Sequence, residues 1–374
     1  MRADLNTFFA GQSAIPMFMS KPRRVGPWLD AAFGALSAAL AGLLSSTLAF
    51  DHAAGQGADA LYAGKQIRMV IASGAGGGYD AYARILALHL SRHIPGHPSI
   101  IDQNMPSAAG MQATNWAYTA APKDGTVILA TYNSLLAEPL YGNPAARFDP
   151  LKLETVGSIS RQQNICATWH TSPVRTLDQA KTREVIVTAT GAASDTAIMP
   201  KILNTLLGTR FKIVMGYSTT EQRLAVERGE AEGVCGLSWS TLKASSPDWA
   251  RRDRINVLVQ TGKTPQADLP DVPVLVDLVA SRQDKRVIEL LSFPQELGRP
   301  FLMPPDTPKV LVGAIRRAFD ETLRDPLFLA DAEKALLEVN PVSGEAMEQA
   351  LKDAYATPKE LVRRAAELNG SLAR

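Results

Sequence analysis

Cysteine is nearly absent from this chain: positions 166 and 235 are its only two. Neither belongs to a CxxC pair or a Cys/His cluster, so the sequence offers no framework for a structural zinc site. The five histidines are scattered. No GxxxxGK[ST], GxSxG or HExxH segment occurs, and no local signature suggests a Ser/His/Asp set. An excess of one charge is missing too. Lys and Arg number 39 against 37 Asp and Glu, a formal net charge of +2. Basic residues form only short pairs such as Arg23-Arg24 and Arg251-Arg252, which is no electrostatic footprint for nucleic acid. The reading therefore assigns no catalytic residue, metal, cofactor or nucleic-acid partner.

What is present starts with a shift in composition near the N-terminus. Lys21, Arg23 and Arg24 precede a stretch from Ala31 to Phe50 that carries no charge, and small residues then dominate up to Tyr62. Basic, apolar, small-residue is the order of a secretory signal. Residues 1–60 are therefore expected to be a signal peptide, with Ala58-Asp59-Ala60 as one possible cleavage motif and with an exported, periplasmic mature protein. No cysteine follows the run, which disfavours a lipid anchor, and no later stretch is long and apolar enough to span a bilayer. In an oxidising compartment Cys166 and Cys235 either pair or remain two buried thiols.

Strand and helix signals then alternate. IRMVIA (67–72), PSIIDQ (98–103) and TVILAT (126–131) read as strands, rich in β-branched and apolar residues. A helix from about Tyr79 carries Tyr82, Ile85, Leu86 and Leu90 at helical spacing. The same syntax returns in EVIVTAT (184–190), a helix from about Thr196, FKIVM (211–215) and GVCGL (233–237). Two βαβαβ units predict α/β lobes, each a doubly wound and mainly parallel sheet. Lobe one is expected to comprise 61–165 plus 293–374, and lobe two 166–292. Two crossing stretches, Val156–Trp169 and about Phe293–Met303, would join them as a hinge. The remainder reads as helices at 308–323, 326–337, 343–355 and 358–369, returning to the first lobe.

In parallel sheets, ligands bind beyond the carboxyl ends of the strands. Small-residue loops occupy that edge here, and each leads into a helix N-terminus, where free N–H groups and the helix dipole favour an anion. Lobe one offers Ser73, Gly76, Gly77, Gly78 and Tyr79, then Ser107, Ala109 and Gly110. Lobe two offers Thr190, Gly191, Ser194, Asp195 and Thr196. Facing loops of this kind suit a molecule with two separated anionic groups, such as a dicarboxylate. Tyr132, Asn133, Ser134, Tyr217, Ser238 and Trp239 follow strands and could add hydrogen bonds or a wall. Asp80 and Asp195 are expected to serve as N-caps, with Arg84 paired to Asp80.

An enzyme reading competes with this. Gly74–Gly78 after a strand is similar to a dinucleotide fingerprint, with Asp102 near the place of the ribose-binding acid. The third Gly of that fingerprint is Tyr79 here, where close packing wants a small residue. A NAD(P)-dependent oxidoreductase is thus the alternative.

Several segments in order resemble one family. Lys65-Gln66-Ile67-Arg68 leads to Gly76-Gly77-Gly78-Tyr79-Asp80 and Ala83-Arg84. Asn104-Met105-Pro106 through Gly110, Ala121-Pro122-Lys123-Asp124-Gly125, Leu269-Pro270-Asp271-Val272-Pro273, Pro304-Pro305-Asp306-Thr307-Pro308 and Asp325-Pro326 follow. This set, from about residue 62 to 369, resembles the substrate-binding receptors of tripartite tricarboxylate transporters, the Bug proteins. The chain departs from the family pattern at Ala108-Ala109, which replace part of a Gly-rich turn. The resemblance implies a two-lobed Venus-flytrap fold of the periplasmic-binding type and a two-protein membrane permease as partner. It also implies a small carboxylate, di- or tricarboxylate, held largely by backbone amides and water. A monomer is expected.

Overall fold

A computed structural model describes residues 61–370, apart from 192–193 and 263–264. The expected signal segment lies outside the described residues. The chain runs β1 (Gln66–Ile71), α1 (Gly78–Leu90), β2 (Ser99–Asn104), α2 (Met111–Thr119), β3 (Val127–Ala130) and β4 (Glu154–Ser158). It continues through β5 (Asn164–Trp169), α3 (Leu177–Thr182), β6 (Val185–Ala189), α4 (Asp195–Leu207), β7 (Phe211–Met215) and α5 (Thr219–Glu227). Then come β8 (Gly233–Ser238), α6 (Trp239–Ser245), β9 (Ile255–Gln260), α7 (Arg282–Leu297) and β10 (Pro300–Met303). Four helices close the described chain: α8 (Lys309–Thr322), α9 (Pro326–Lys334), α10 (Gly344–Tyr355) after the short β11 (Val342–Ser343), and α11 (Lys359–Asn369).

Two sheets form. The first has the order β11-β4-β10-β3-β1-β2 and the second β7-β6-β8-β5-β9. Burial on both faces explains the near-continuous apolar runs of their central strands. Along β1, Ile67, Met69 and Ile71 join Leu86, Leu90 and Phe319 in one apolar cluster. Val70, between them, turns to the opposite face, where Leu129 and Leu302 pack with it.

The sheets are mixed rather than mainly parallel. Parallel pairing is confined to β2-β1-β3 and β7-β6-β8. The strands of the crossing stretches pair antiparallel, β10 with β3 and β4, and β5 with β8 and β9. β5 and β10, which each follow an element of the other sheet's half, run against the strands beside them. The crossings are accordingly not free links. β4 lies against β10, and beyond the first sheet Gln162 N donates to Gln295 O at 2.8 Å while Arg299 N donates to Ser160 O at 3.1 Å.

Among the C-terminal helices, α8 and α10 pack on β4 and α9 on α1, but α11 packs on α7 and α4. The expectation that all four return to one lobe is corrected for α11. Its Leu361, Ala365 and Leu368 join Ile202, Leu203 and Leu297 in one buried cluster. Cys166 and Cys235, opposite each other on β5 and β8 and fully buried, are joined as a disulfide. Among the described residues no helix is long and apolar enough to cross a membrane.

Candidate functional site

The loop after β1 leads directly into α1, whose N-cap is Gly77 and receives no side-chain hydrogen bond. Asp80 is not the N-cap. It lies in the first turn and closes the loop from inside: its carboxylate accepts from Gly76 N at 2.8 Å, Arg84 Nε at 2.9 Å and Asn104 Nδ2 at 2.7 Å. Burial would raise this carboxyl, but the hydrogen bonds outweigh it and hold it below the usual range. Asp80 is thereby committed to the frame and turned away from the loop's outer face. The expected Asp80–Arg84 pair is present. Arg84 also reaches Asp102 at 3.3 Å, so the acid that a dinucleotide ribose would need is already engaged.

The second loop runs beside the first. Ala108, Ala109 and Gly110 have φ of 52°, 51° and 84°, three successive left-handed residues that turn the chain into α2. A β-carbon on Gly110 would come within 2.9 Å of both Ala72 O and Tyr132, so the two loops and the end of β3 meet in close contact. Ser107 and Ala109 are exposed, while Ser73 is buried and its hydroxyl faces that of Tyr132.

In the second half, the turn before α4 is closed by its own side chains. Thr190 N donates to Thr196 Oγ1 at 3.0 Å, and Ser194 Oγ donates to Gly191 O at 2.7 Å. Ser194, not Asp195, occupies the N-cap position. Asp195 instead accepts from Asn164 Nδ2 at 2.9 Å. Burial pushes the Asp195 carboxyl above the ordinary range, against the opposing hydrogen bond from Asn164.

Tyr79 lies against the second crossing. Its hydroxyl faces Asn133 Oδ1 at 3.0 Å and Gly298 O at 3.2 Å, and Asn133 N donates to it at 3.3 Å. Burial raises the phenol, with the Arg299 charge opposing and Asp195 adding to the rise. The Arg299 guanidinium stacks 4.2 Å from the Tyr79 centroid and 5.2 Å from that of Tyr82. Nη1 donates to Gln162 Oε1 at 3.1 Å and Nη2 to Thr241 Oγ1 at 3.0 Å. Arg299 is only 5% exposed, and among the described residues it forms no salt bridge.

The remaining candidates divide. Tyr132 packs edge-on against Tyr79 with centroids 4.5 Å apart, so it shares the site. Ser134 is exposed beside Asn133, whose Oδ1 accepts from Ser134 N. Ser238 caps α6, accepting from Thr241 N, and so orients the Thr241 that holds Arg299. Tyr217 is half-buried at the end of the β7 segment. Trp239 goes to the core instead of the cleft: it is 2% exposed and its indole N–H donates to Asp268. Sequence reading missed Arg299, Gln162, Asn164 and Thr241. A signal for Arg299 did exist, a lone charge between Gly298 and Pro300 that interrupts an apolar stretch.

No family model matches the chain. A UPF0065 protein of Bordetella bronchiseptica is 24% identical over 304 residues, which cover 79% of this chain and 82% of that protein. The solved structure of the periplasmic binding protein BugD superposes with a TM-score of 0.59 at 19% identity, covering 83% of this chain and 99% of BugD. The R. palustris protein Rpa4515, solved with adipate, gives 0.60 at 16% identity, covering 82% and 98%. These similarities give the dinucleotide alternative no support. The chain has the two-sheet α/β fold of the periplasmic solute-binding proteins.

Proposed function

We propose that this chain is an extracytoplasmic receptor of the Bug type. It binds a small organic carboxylate between two lobes, one built on each sheet. It then delivers that carboxylate to the membrane permease of a tripartite tricarboxylate-type transporter. The observation that carries the reading is the meeting of the loops before α1 and α2 at Tyr79 and Tyr132, beside Arg299, to which the first residue of α4, Asp195, is linked through Asn164 and Gln162. The two loops present two helix N-termini and glycine backbone at one edge of the first sheet. The fold likeness to BugD and to the adipate-bound Rpa4515 supports it. Ser73, Gly76, Gly77, Gly78, Ser107, Ala109, Gly110, Thr190 and Gly191 would supply backbone and small polar contacts. A soluble periplasmic monomer without catalytic activity completes the reading.

The test is thermal unfolding of the protein lacking residues 1–60 against a panel of C4 to C8 dicarboxylates, citrate, amino acids and NAD(H). A ligand at about a hundredfold over its dissociation constant should stabilise by roughly 2.7 kcal/mol. A shift with carboxylates supports the receptor. A shift with NAD(H) alone contradicts it.

A further inference from the structure

Arg299 is buried at the start of β10, and its hydrogen-bonded partners Gln162 Oε1 and Thr241 Oγ1 are both neutral. A buried guanidinium without a counter-ion is an unstable arrangement, because neutral oxygens and two ring faces return only part of its lost hydration. Gln162, Thr241 and the Tyr79 hydroxyl, all neutral, engage only part of its five N–H donors.

The fork points at the loop that opens α1. The nearest atom to a β-carbon built on Gly78 is Arg299 Nη2, at 3.7 Å. The space over that loop is open: a β-carbon on Gly74 or Gly76 would meet nothing within 4 Å. Buried Ser73, whose hydroxyl faces that of Tyr132, begins the same loop. The first N–H groups of α1, at Gly78 and Tyr79, lack intrahelical acceptors by position. One small region thus combines free helix N–H donors and a cation without an anion.

We infer that Arg299 is the anionic-group anchor of the site, pairing one ligand carboxylate through its guanidinium fork while the N–H groups of Gly78 and Tyr79 bind the same group. This rests on the receptor reading and deepens it. The recognition is then not made by backbone and water alone. One end of the ligand must be a full anion of planar, two-oxygen shape, which matches the guanidinium geometry. Gln162 and Thr241 come from the first crossing and from the helix after β8, so they hold the fork from both sides, and Tyr79 and Tyr82 keep it planar against their rings.

Titration calorimetry with adipate, malate and citrate, and with neutral adipamide as the matched amide of adipate, tests this on wild type, Arg299→Gln and Arg299→Lys. Wild type should bind the acid and not the amide. Arg299→Gln should weaken the acid about 30-fold or more and leave the amide unchanged, so the acid-to-amide ratio collapses. Should Arg299→Gln not fold by circular dichroism, Arg299→Lys carries the test. It keeps the charge but loses the fork, and should cost about tenfold. A folded variant with wild-type affinity for the acid overturns the inference and leaves the receptor reading intact. Wild type that binds no carboxylate overturns both.

Discussion

Gly298 and Ser160 meet backbone to backbone where the two crossings touch. A β-carbon on Gly298 would overlap the Ser160 carbonyl oxygen, and the residue sits at φ 50°. Its own carbonyl accepts from the Tyr79 hydroxyl at 3.2 Å. The one residue type without a side chain therefore lets the hinge close up and places the acceptor for Tyr79. Gly298→Ala should lower unfolding free energy by more than about 4 kcal/mol, or prevent folding. Gly142→Ala is the control. It also has positive φ but nothing within 4 Å, and should cost only about 1–2 kcal/mol. Urea unfolding of both variants checks this.

The second loop stores strain that glycine would release. Ala108 and Ala109 both lie in the left-handed region, which costs an L-residue about 1–2 kcal/mol. Glycine loses about 0.4–1 kcal/mol in chain entropy. Ala108→Gly should therefore stabilise by up to about 1.5 kcal/mol in chemical denaturation. A loss of stability would show that the loop is not held in this conformation.

Asp195 gives a pH signature. Its carboxyl is raised by burial, so its folded value lies above the unfolded one. Stability from this group is then fully present below the unfolded value of about 3.9 and declines as pH rises through the folded value. Asp195→Asn should raise the denaturation midpoint at pH 7, with the gain over wild type disappearing below about pH 4. A variant that is less stable at neutral pH would show that the charged carboxylate is needed.

The disulfide links residues 69 apart in sequence. Cross-linking a loop of that length stabilises by roughly 2–4 kcal/mol. Replacing both cysteines by alanine should lower unfolding free energy by that amount, and the oxidised protein should take up no alkylating reagent in mass spectrometry unless it is unfolded and reduced. Labelling of two thiols without reductant would contradict the bond.

What could be read in advance follows a physical divide. β1, α1, β6, α4 and the C-terminal helices announce themselves through local periodicity, and the loops between them through glycine and serine. The crossings do not. VGS in β4 and PFLM in β10 are short, and they become strands by pairing with each other across about 140 residues and with their other neighbours in the sheet. INVLVQ forms β9 because β5 offers it an edge. Parallel order was overestimated for that reason. In the site, the loops were legible because backbone requirements dictate their residues. Arg299 was not, since its meaning comes from Tyr79, Gln162 and Thr241, which the fold gathers from three distant segments. Trp239 shows the reverse: an aromatic at a strand end invites a ligand role, yet the nearby Asp268 and a buried cluster absorb it.

The most direct measurement is equilibrium binding of adipate, malate and citrate to the wild-type protein lacking residues 1–60, followed by titration calorimetry at neutral pH. Saturable one-to-one binding of one of these acids, with a dissociation constant in the micromolar range or below (about −8 kcal/mol or stronger), is the predicted result. No heat with any of these carboxylates, together with saturable binding of NAD(H), would contradict the account at its centre.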